Sequence, residues 1–254
     1  MQKRILQLSL CLIITILVLV SSTIRAETEN NNWQWQVAPY LWLSDLDIDF
    51  QSDSPPIGGG PSFFDDILSK LDMVFEIQAE ANIRDNGLLL DFMYFDFSDD
   101  VRYDLVQIDT TTRLTAWLVD FAGYQRFQQS SSYFDIFAGL RWVKLRMTFD
   151  FERTTPPIFE NQLKVTESFM DLLVGARYHY ELNQHWAAKA RLDFSKGETE
   201  GIWDARIEAD YKISQKRNDR IFFGYRARHI EADLGGVLLE LDMHGPYVGY
   251  NFIF

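Results

Sequence analysis

Residues 203–213 read WDARIEADYKI. The odd positions are Trp203, Ala205, Ile207, Ala209, Tyr211 and Ile213, and every even position between them is charged. That is a period of two without a break, the mark of a strand with one apolar and one polar face. The preceding stretch, WAAKARLDF at 186–194, does the same: Trp186, Ala188, Ala190, Leu192 and Phe194 alternate with Ala187, Lys189, Arg191 and Asp193. A sheet with one wet face would also give this pattern.

The aromatic spacing points to lipid on the apolar side. Trp186 and Phe194, Trp203 and Tyr211, and Phe134 and Trp142 each stand eight residues apart at the ends of their apolar rows. Eight steps of about 3.3 Å at a tilt near 40° climb about 20 Å, close to the ~25 Å band and aromatic girdles of a membrane barrel. Composition agrees: aromatic residues make up 15% of the chain, yet beyond the N-terminus no apolar run approaches the length of a helical span.

The first 26 residues stand apart. Met1-Gln2-Lys3-Arg4 is basic, Ile5–Val20 is almost wholly apolar, and Ser21–Ala26 supplies small residues before a polar run. This is the pattern of a secretory signal, cut after Ala26 or, because Ile24 suits the −3 position poorly, after Ser22. Cys11 is the single cysteine and lies inside that segment. The mature chain would therefore carry neither disulfides nor a thiolate metal site. Removing Lys3, Arg4 and Arg25 takes the net charge from −13 to −16, which argues against nucleic acid as a partner.

The same alternation predicts ten strands, near residues 33–50, 72–84, 88–97, 103–127, 132–153, 163–182, 185–196, 202–214, 219–234 and 237–254. The fold class is all-β: a closed antiparallel transmembrane barrel of ten strands, with eight or twelve as alternatives. Lipid-facing rows include Leu88, Leu90, Phe92 and Tyr94 on the third strand and Leu172, Val174, Ala176, Tyr178 and Tyr180 on the sixth. The fourth is least clean, since Val106, Ile108, Leu114 and Leu118 share a parity that Asp120 breaks, as a bulge near Ala116 or a split would allow. Turns are expected at Asn86-Gly87 and at Gly235-Gly236. The first would pair Ile83 with Leu90 and Ala81 with Phe92; the second would pair Tyr225 with Pro246 and Phe223 with Val248. Long links are expected at 51–71 and 154–162.

In the outer half of four strands the parity inverts. Leu46, Ile48 and Phe50, then Val143, Leu145 and Met147, then Ile230, Ala232 and Leu234, then Leu239, Leu241 and Met243 all take positions that are polar lower down. Their neighbours, such as Asp45, Lys144, Arg146, Glu231 and Asp242, become charged. A bulge in each strand could do this. A change of solvent does it more simply: strands of this length outrun the 9–11 residues that cross a bilayer, so the outer wall meets water and the inside becomes an apolar core. A capping pattern at Ser62 and Asp65, with Phe64, Ile67, Leu68 and Leu71 on one face, predicts a short helix over 62–71 in the first long loop. It would pack either into the upper lumen or over the rim.

At membrane level the lumen is expected to hold Glu76, Glu80, Asp91, Arg113, Arg141, Asp171, Arg177, Lys189, Arg191, Asp193, Arg206, Glu208, Asp210, Arg226 and Arg228. Three opposite-charge pairs in one register, Asp193–Arg206, Arg191–Glu208 and Lys189–Asp210, would help to plug it. Mixed signs suit a plug better than a selective pore, which favours one sign. His179 and His185 read as structural. His229, Asp242 and His244 form a weak cluster at the outer rim, open to readings as a catalytic site, a cation or headgroup site, or a solvated wall. No metal-spaced His/Cys set, phosphate loop or Ser-based elbow is present, so no cofactor is expected.

Three stretches, WQWQVAPYLWLSDLDIDF at 33–50, FFDDILSKLDMVFEIQAE at 63–80 and GYRARHIEADLGGVLLELDMHGPYVGYNFIF at 224–254, together resemble a group of uncharacterised Gram-negative outer-membrane β-barrel proteins of about this size. The closing row Val248, Tyr250, Phe252 and Phe254 also looks like the C-terminal signal read by the barrel-assembly machinery. The resemblance implies outer-membrane lipid and that machinery as partners, and carries over no activity. The functional expectation is a non-enzymatic barrel with a charge-plugged lumen in a structural or surface-binding role. The alternatives are a narrow pore or carrier of small or apolar solutes and, last, a rim enzyme cleaving lipid or peptide.

Overall fold

The computed structural model describes residues 33–51, 71–103, 108–153, 159–213 and 218–254. The expected signal segment, its Cys11 and residues 62–70 of the expected helix lie outside them. Leu71 begins a strand instead.

Eleven strand segments follow one another: β1 (Gln34–Trp42), β2 (Asp45–Gln51), β3 (Leu71–Ile83), β4 (Asn86–Tyr103), β5 (Ile108–Gln128), β6 (Ser132–Arg153), β7 (Phe159–Glu181), β8 (Trp186–Gly197), β9 (Gly201–Lys212), β10 (Arg220–Asp233) and β11 (Leu238–Ile253). Each pairs antiparallel with its sequence neighbour from β3 onward, and β1 pairs with both β3 and β11. The sheet thereby closes on itself, leaving no edge at this level.

β1 and β2 are one stave of the wall. Trp42 faces Tyr247 and Asp45 faces His244, so the register runs on without a shift. Between them Leu43 N donates to Pro246 O at 2.9 Å, but proline has no N–H to return the bond. Beside this gap Trp42 Nε1 adds a side-chain bond to the same strand, donating to Gly245 O at 3.2 Å. The result is a closed ten-stranded antiparallel β-barrel, as the alternation predicts.

Side-chain direction follows the pleat. The outer surface carries Leu172, Val174, Leu192, Ile207, Phe223 and Val248, with Ile207 64% and Leu172 70% exposed. Trp186, Tyr211, Phe194 and Trp203 bound this row on β8 and β9. Ala81, expected in the same belt, is covered by its neighbours.

The inversion of parity is not a set of bulges. β6 pairs with β5 and β7 in unbroken register along its length, and β10 does so with β11. Arg141, Val143, Leu145 and Met147 all point inward in sequence along β6 and are buried. Leu46, Ile230, Ala232, Leu239, Leu241 and Met243 join them in one apolar cluster. The cluster is larger than expected, because β4 and β5 add Phe95, Phe97, Leu114, Ala116 and Leu118. β6 and β7 are 22 and 23 residues long; at ~3.3 Å per residue and a tilt near 40° they climb about 55 Å, roughly twice the apolar band.

Three expectations are corrected. On β5 the parity is the reverse of that expected: Leu114, Leu118 and Asp120 all face the interior, while Phe121 and Phe127 face out. Asp120 breaks nothing, and no bulge is needed near Ala116. The first hairpin turns at Arg84-Asp85, two residues early, with Arg84 at φ 53°, so Ala81 faces Leu88 and Ile77 faces Phe92. Gly87 serves packing instead of the turn, since a Cβ there would lie 2.3 Å from the ring of Tyr124. The expected 154–162 link is shorter, since β7 starts at Phe159. The last hairpin is as expected, with Gly235 and Gly236 at φ 70° and 95°, Tyr225 facing Pro246 and Phe223 facing Val248. Above Tyr40 and Glu76, no pairing joins β2 to β3 among the described residues.

Candidate functional site in the lumen

Below the apolar cluster the inward positions become ionic, and the ion pairs run across the barrel as well as along its wall. Nearest the barrel end that carries Gln34 and Ile253, Arg177 of β7 reaches Glu80 of β3, with Nη2 donating to Oε2 at 3.0 Å. It also reaches Asp135 of β6 at 2.7 Å. Arg126 holds the other side of Asp135 at 2.8 and 3.0 Å and lies over the Tyr133 ring at 3.7 Å. His179 stacks on the same tyrosine at 4.5 Å.

One level up, Lys189 binds Glu208 and sits 3.5 Å from Asp210. Tyr247 O–H donates to Glu208 at 2.9 Å. Asp91 of β4 then accepts from Tyr40 at 2.9 Å and from Arg206 of β9 at 2.8 Å. Arg141 of β6 grips Asp120 through two bonds, at 2.7 and 2.8 Å, and Asp193 of β8 at 2.7 Å. The last level centres on Asp204, which accepts from Arg206 at 3.0 Å, Arg226 at 2.8 Å and Arg228 at 2.7 Å. Glu76 lies 3.9 Å from Arg226, whose guanidinium covers Trp42 at 4.5 Å.

Fourteen of the fifteen expected lumen residues face this interior. Arg113 does not: it is exposed on the outer wall, because β5 presents its even positions inward. The expected register between β8 and β9 is also off by two residues. Asp193 faces Asp204, Arg191 faces Arg206 and Lys189 faces Glu208. Opposite charges meet instead along each strand, as Arg191–Asp193 at 2.7 Å and Arg206–Asp204 at 3.0 Å, and across the lumen. Asp171 makes hydrogen bonds of another kind, accepting from Ser195 Oγ at 3.1 Å and Thr199 N at 3.0 Å; it pins the 198–200 hairpin. Asp120, Asp204, Tyr40 and Arg126 complete the lattice without having been foreseen. For Asp204 the signal was present, a charged residue in a strand's polar row; for Asp120 it was the charge that interrupted an apolar row.

The spaces between Gln78, Arg177, Lys189, Arg191, Arg206, Glu208 and Tyr247, and between Gln36, Glu80, Tyr133 and Asn251, measure about 10 and 20 Å³. That is room for about one water each. Such waters suit Arg191, whose Nη1 and Nη2 are buried without a hydrogen bond although Asp91 and Asp120 stand 3.7 and 3.6 Å away.

The rim cluster comes together in part. His229 Nδ1 lies 2.8 Å from Asp242 Oδ1, and its ring stacks at 6.2 Å on Trp203. His244 faces Asp45 across β2 and approaches Tyr225. Both histidines are on the outside of the wall. Among the described residues no group of three or more His, Cys, Asp or Glu is arranged to hold a metal ion.

Fold and interior together define the class: a closed ten-stranded antiparallel barrel whose outer wall carries an apolar belt and whose interior at that level carries paired charges. No protein-family model matches the chain, and no curated protein matches it. Solved structures of similar fold include the outer-membrane protease OmpT of Escherichia coli, at 8% identity over 88% of this chain and 94% of that one, with a TM-score of 0.41. The attachment invasion locus protein Ail of Yersinia pestis matches at 11% identity over 87% and 99%, with a TM-score of 0.34. The toluene transporter TodX of Pseudomonas putida matches at 10% over 89% and 90%, with a TM-score of 0.38. At this level of likeness the fold rests on the strand pairing itself.

Proposed function

We propose that the protein is a non-enzymatic β-barrel of the outer membrane with a closed lumen, serving a structural or surface-binding role. Residues 1–26 act as a cleaved export signal, and the last strand, ending at Phe254, is its handle for barrel assembly. The apolar belt with aromatic edges supports placement in lipid, since a surface of this kind and size is unfavourable in water. The end bearing Trp33, Phe254 and the short hairpins near 84–85, 129–131 and 182–185 faces the periplasm.

One observation carries this reading: among the described residues the ion-pair lattice spans the barrel from wall to wall, and the spaces beside Arg177 and Lys189 measure about 10 and 20 Å³. Discrete conduction would need many of these pairs to part, each leaving buried charge unpaired. The test is single-channel recording in planar bilayers, with the mature chain and a variant lacking residues 55–71. The reading expects neither to show stepwise openings. Regular openings in both would establish a pore through the strand-built interior.

The carrier alternative has one observation in its favour. The unpaired stretch of wall between β2 and β3 adjoins the apolar upper lumen. Uptake of a radiolabelled apolar solute into proteoliposomes above the rate of protein-free vesicles would support it. The rim-enzyme reading is addressed by His229→Ala: any hydrolytic activity on lipid or peptide that this change abolishes would revive it.

A further inference from the structure

We propose that the outer wall of β5–β7, just above the apolar belt, is a binding surface for the phosphate groups of an anionic glycolipid in the surrounding leaflet. The inference rests on the membrane placement proposed above and adds a ligand to it. It begins with the correction to Arg113. Once β5 is set with its odd positions outward, Arg113 shares the outer face with Lys144 and Arg146 of β6 and Lys164 of β7. Thr148 sits between Arg113 and Lys164 in one cross-strand row. Arg146 lies one step below that row and Lys144 two. With strands about 4.8 Å apart and about 6.6 Å between same-face residues, four cations occupy a patch roughly 10 by 13 Å.

In a chain whose net charge is −13, such a cluster calls for an explanation. Its charges are not spent internally: among the described residues, no carboxylate lies within ion-pair distance of any of the four. Two nearby acids among the described residues are engaged with uncharged partners, Asp96 accepting from Thr115 Oγ1 at 3.1 Å and Asp150 from Gln162 at 2.6 Å. Arg146 Nε is buried without a hydrogen bond. Lys144 and Arg146 are instead splayed over the Trp117 ring, at 5.4 and 5.1 Å, which holds both at a fixed height.

That height identifies the ligand. Along the outside of β6 the row runs Phe134, Ile136, Ala138, Leu140, Trp142, and then Lys144. The cations begin one step past the aromatic edge of the belt, where headgroups lie. Cations there attract anionic headgroups, and paired guanidinium and ammonium groups suit phosphate oxygens. On β2, β10 and β11 the outward positions in and beside the Trp203 row are acidic instead, Asp47 and Asp242 in that row and Glu231 and Asp45 next to it, so the attraction is confined to the β5–β7 side of the barrel.

The test uses the folded mature chain in neutral detergent. Its probe is an acylated glucosamine disaccharide bearing two phosphomonoesters, beside the same glycolipid after phosphatase treatment, with binding read by native mass spectrometry. The phosphorylated form is expected to bind at least tenfold more tightly than the stripped form, a difference of about 1.4 kcal/mol. K144S/R146S should lose at least that factor, while K144R/R146K and D45N/D47N should bind as the unaltered chain does. Binding by K144S/R146S within twofold of the unaltered chain would overturn the proposal. So would displacement of the glycolipid by millimolar inorganic phosphate, or by a soluble sulfated oligosaccharide, since the site would then select a free polyanion. Flotation with neutral phosphatidylcholine vesicles separates the two levels of argument. Failure to float would overturn the membrane placement and this surface with it; flotation without phosphate discrimination would overturn this surface alone.

Discussion

Asp204→Asn is the sharpest perturbation of the lumen. Asp204 is fully buried and takes hydrogen bonds from three guanidinium groups at 2.7, 2.8 and 3.0 Å. At ~3 Å and an effective dielectric near 20, each attraction is worth about 5–6 kcal/mol before desolvation is counted. The asparagine keeps one acceptor oxygen but no charge. Arg206 retains Asp91 at 2.8 Å, and Arg226 retains Glu76 only at 3.9 Å. Arg228 has no other carboxylate within 4 Å among the described residues. Breaking a buried pair from one side costs about 3–5 kcal/mol, and that is the loss expected here. It can be read from reversible urea unfolding of the barrel in lipid vesicles, followed by tryptophan fluorescence. The control is Glu200→Gln, which removes the exposed Lys196–Glu200 pair at 3.8 Å and should change stability by less than about 1 kcal/mol. A loss under about 1 kcal/mol for Asp204→Asn would show that water, and not the lattice, solvates these arginines.

Further outcomes follow from the same geometry. Ile207→Arg, at the centre of the β9 apolar row, should destabilise the vesicle-inserted barrel by about 2–4 kcal/mol, whereas Lys212→Arg at the strand end should be near neutral; equilibrium unfolding measures both. Gly175→Val should impair folding yield, because a Cβ there would meet the Phe137 ring at 2.3 Å and strand pairing leaves little room to shift. Folded fraction after refolding, read by circular dichroism and protease resistance, checks this. Asp171→Ala removes the acceptor for Ser195 and Thr199 and should cost about 1–3 kcal/mol, with faster proteolysis at the 198–200 hairpin.

Which face a strand shows was legible in the sequence; which residue it faces was legible only in part. The alternation at 186–194 and 203–213 gives inside and outside directly, and it placed Lys189, Arg191, Arg206 and Glu208 correctly. A slip by any even number of residues leaves every side chain on its own face, so apolar matching could not distinguish an Asn86-Gly87 turn from Arg84-Asp85. For the same reason it could not fix the pairing of Asp193 with Asp204. Gly87 misled because a glycine can serve packing as well as turning, and the ring it makes room for belongs to Tyr124, far along the chain. β5 misleads for a different cause. With the upper lumen apolar too, Leu114 and Leu118 look like lipid-facing residues, and only Asp120 signals the true parity. The ion pairs that cross the lumen, such as Arg177–Glu80 and Arg206–Asp91, join strands that are not neighbours, and no local pattern reports them.

The central claim is that hydrocarbon solvates the outer belt while the charges are enclosed. Apart from Cys11 in the expected signal segment the chain has no cysteine, so single-cysteine probes report cleanly. Fluorophores at Ile207→Cys, Leu192→Cys and Asp45→Cys, in vesicles of lipids brominated at different acyl depths, give the most direct measurement. The first two should be quenched most by deep bromines and be shielded from aqueous iodide, and the third should show the reverse. Iodide quenching of the Ile207 and Leu192 probes to the level of Asp45 would place the apolar belt in water and contradict the account.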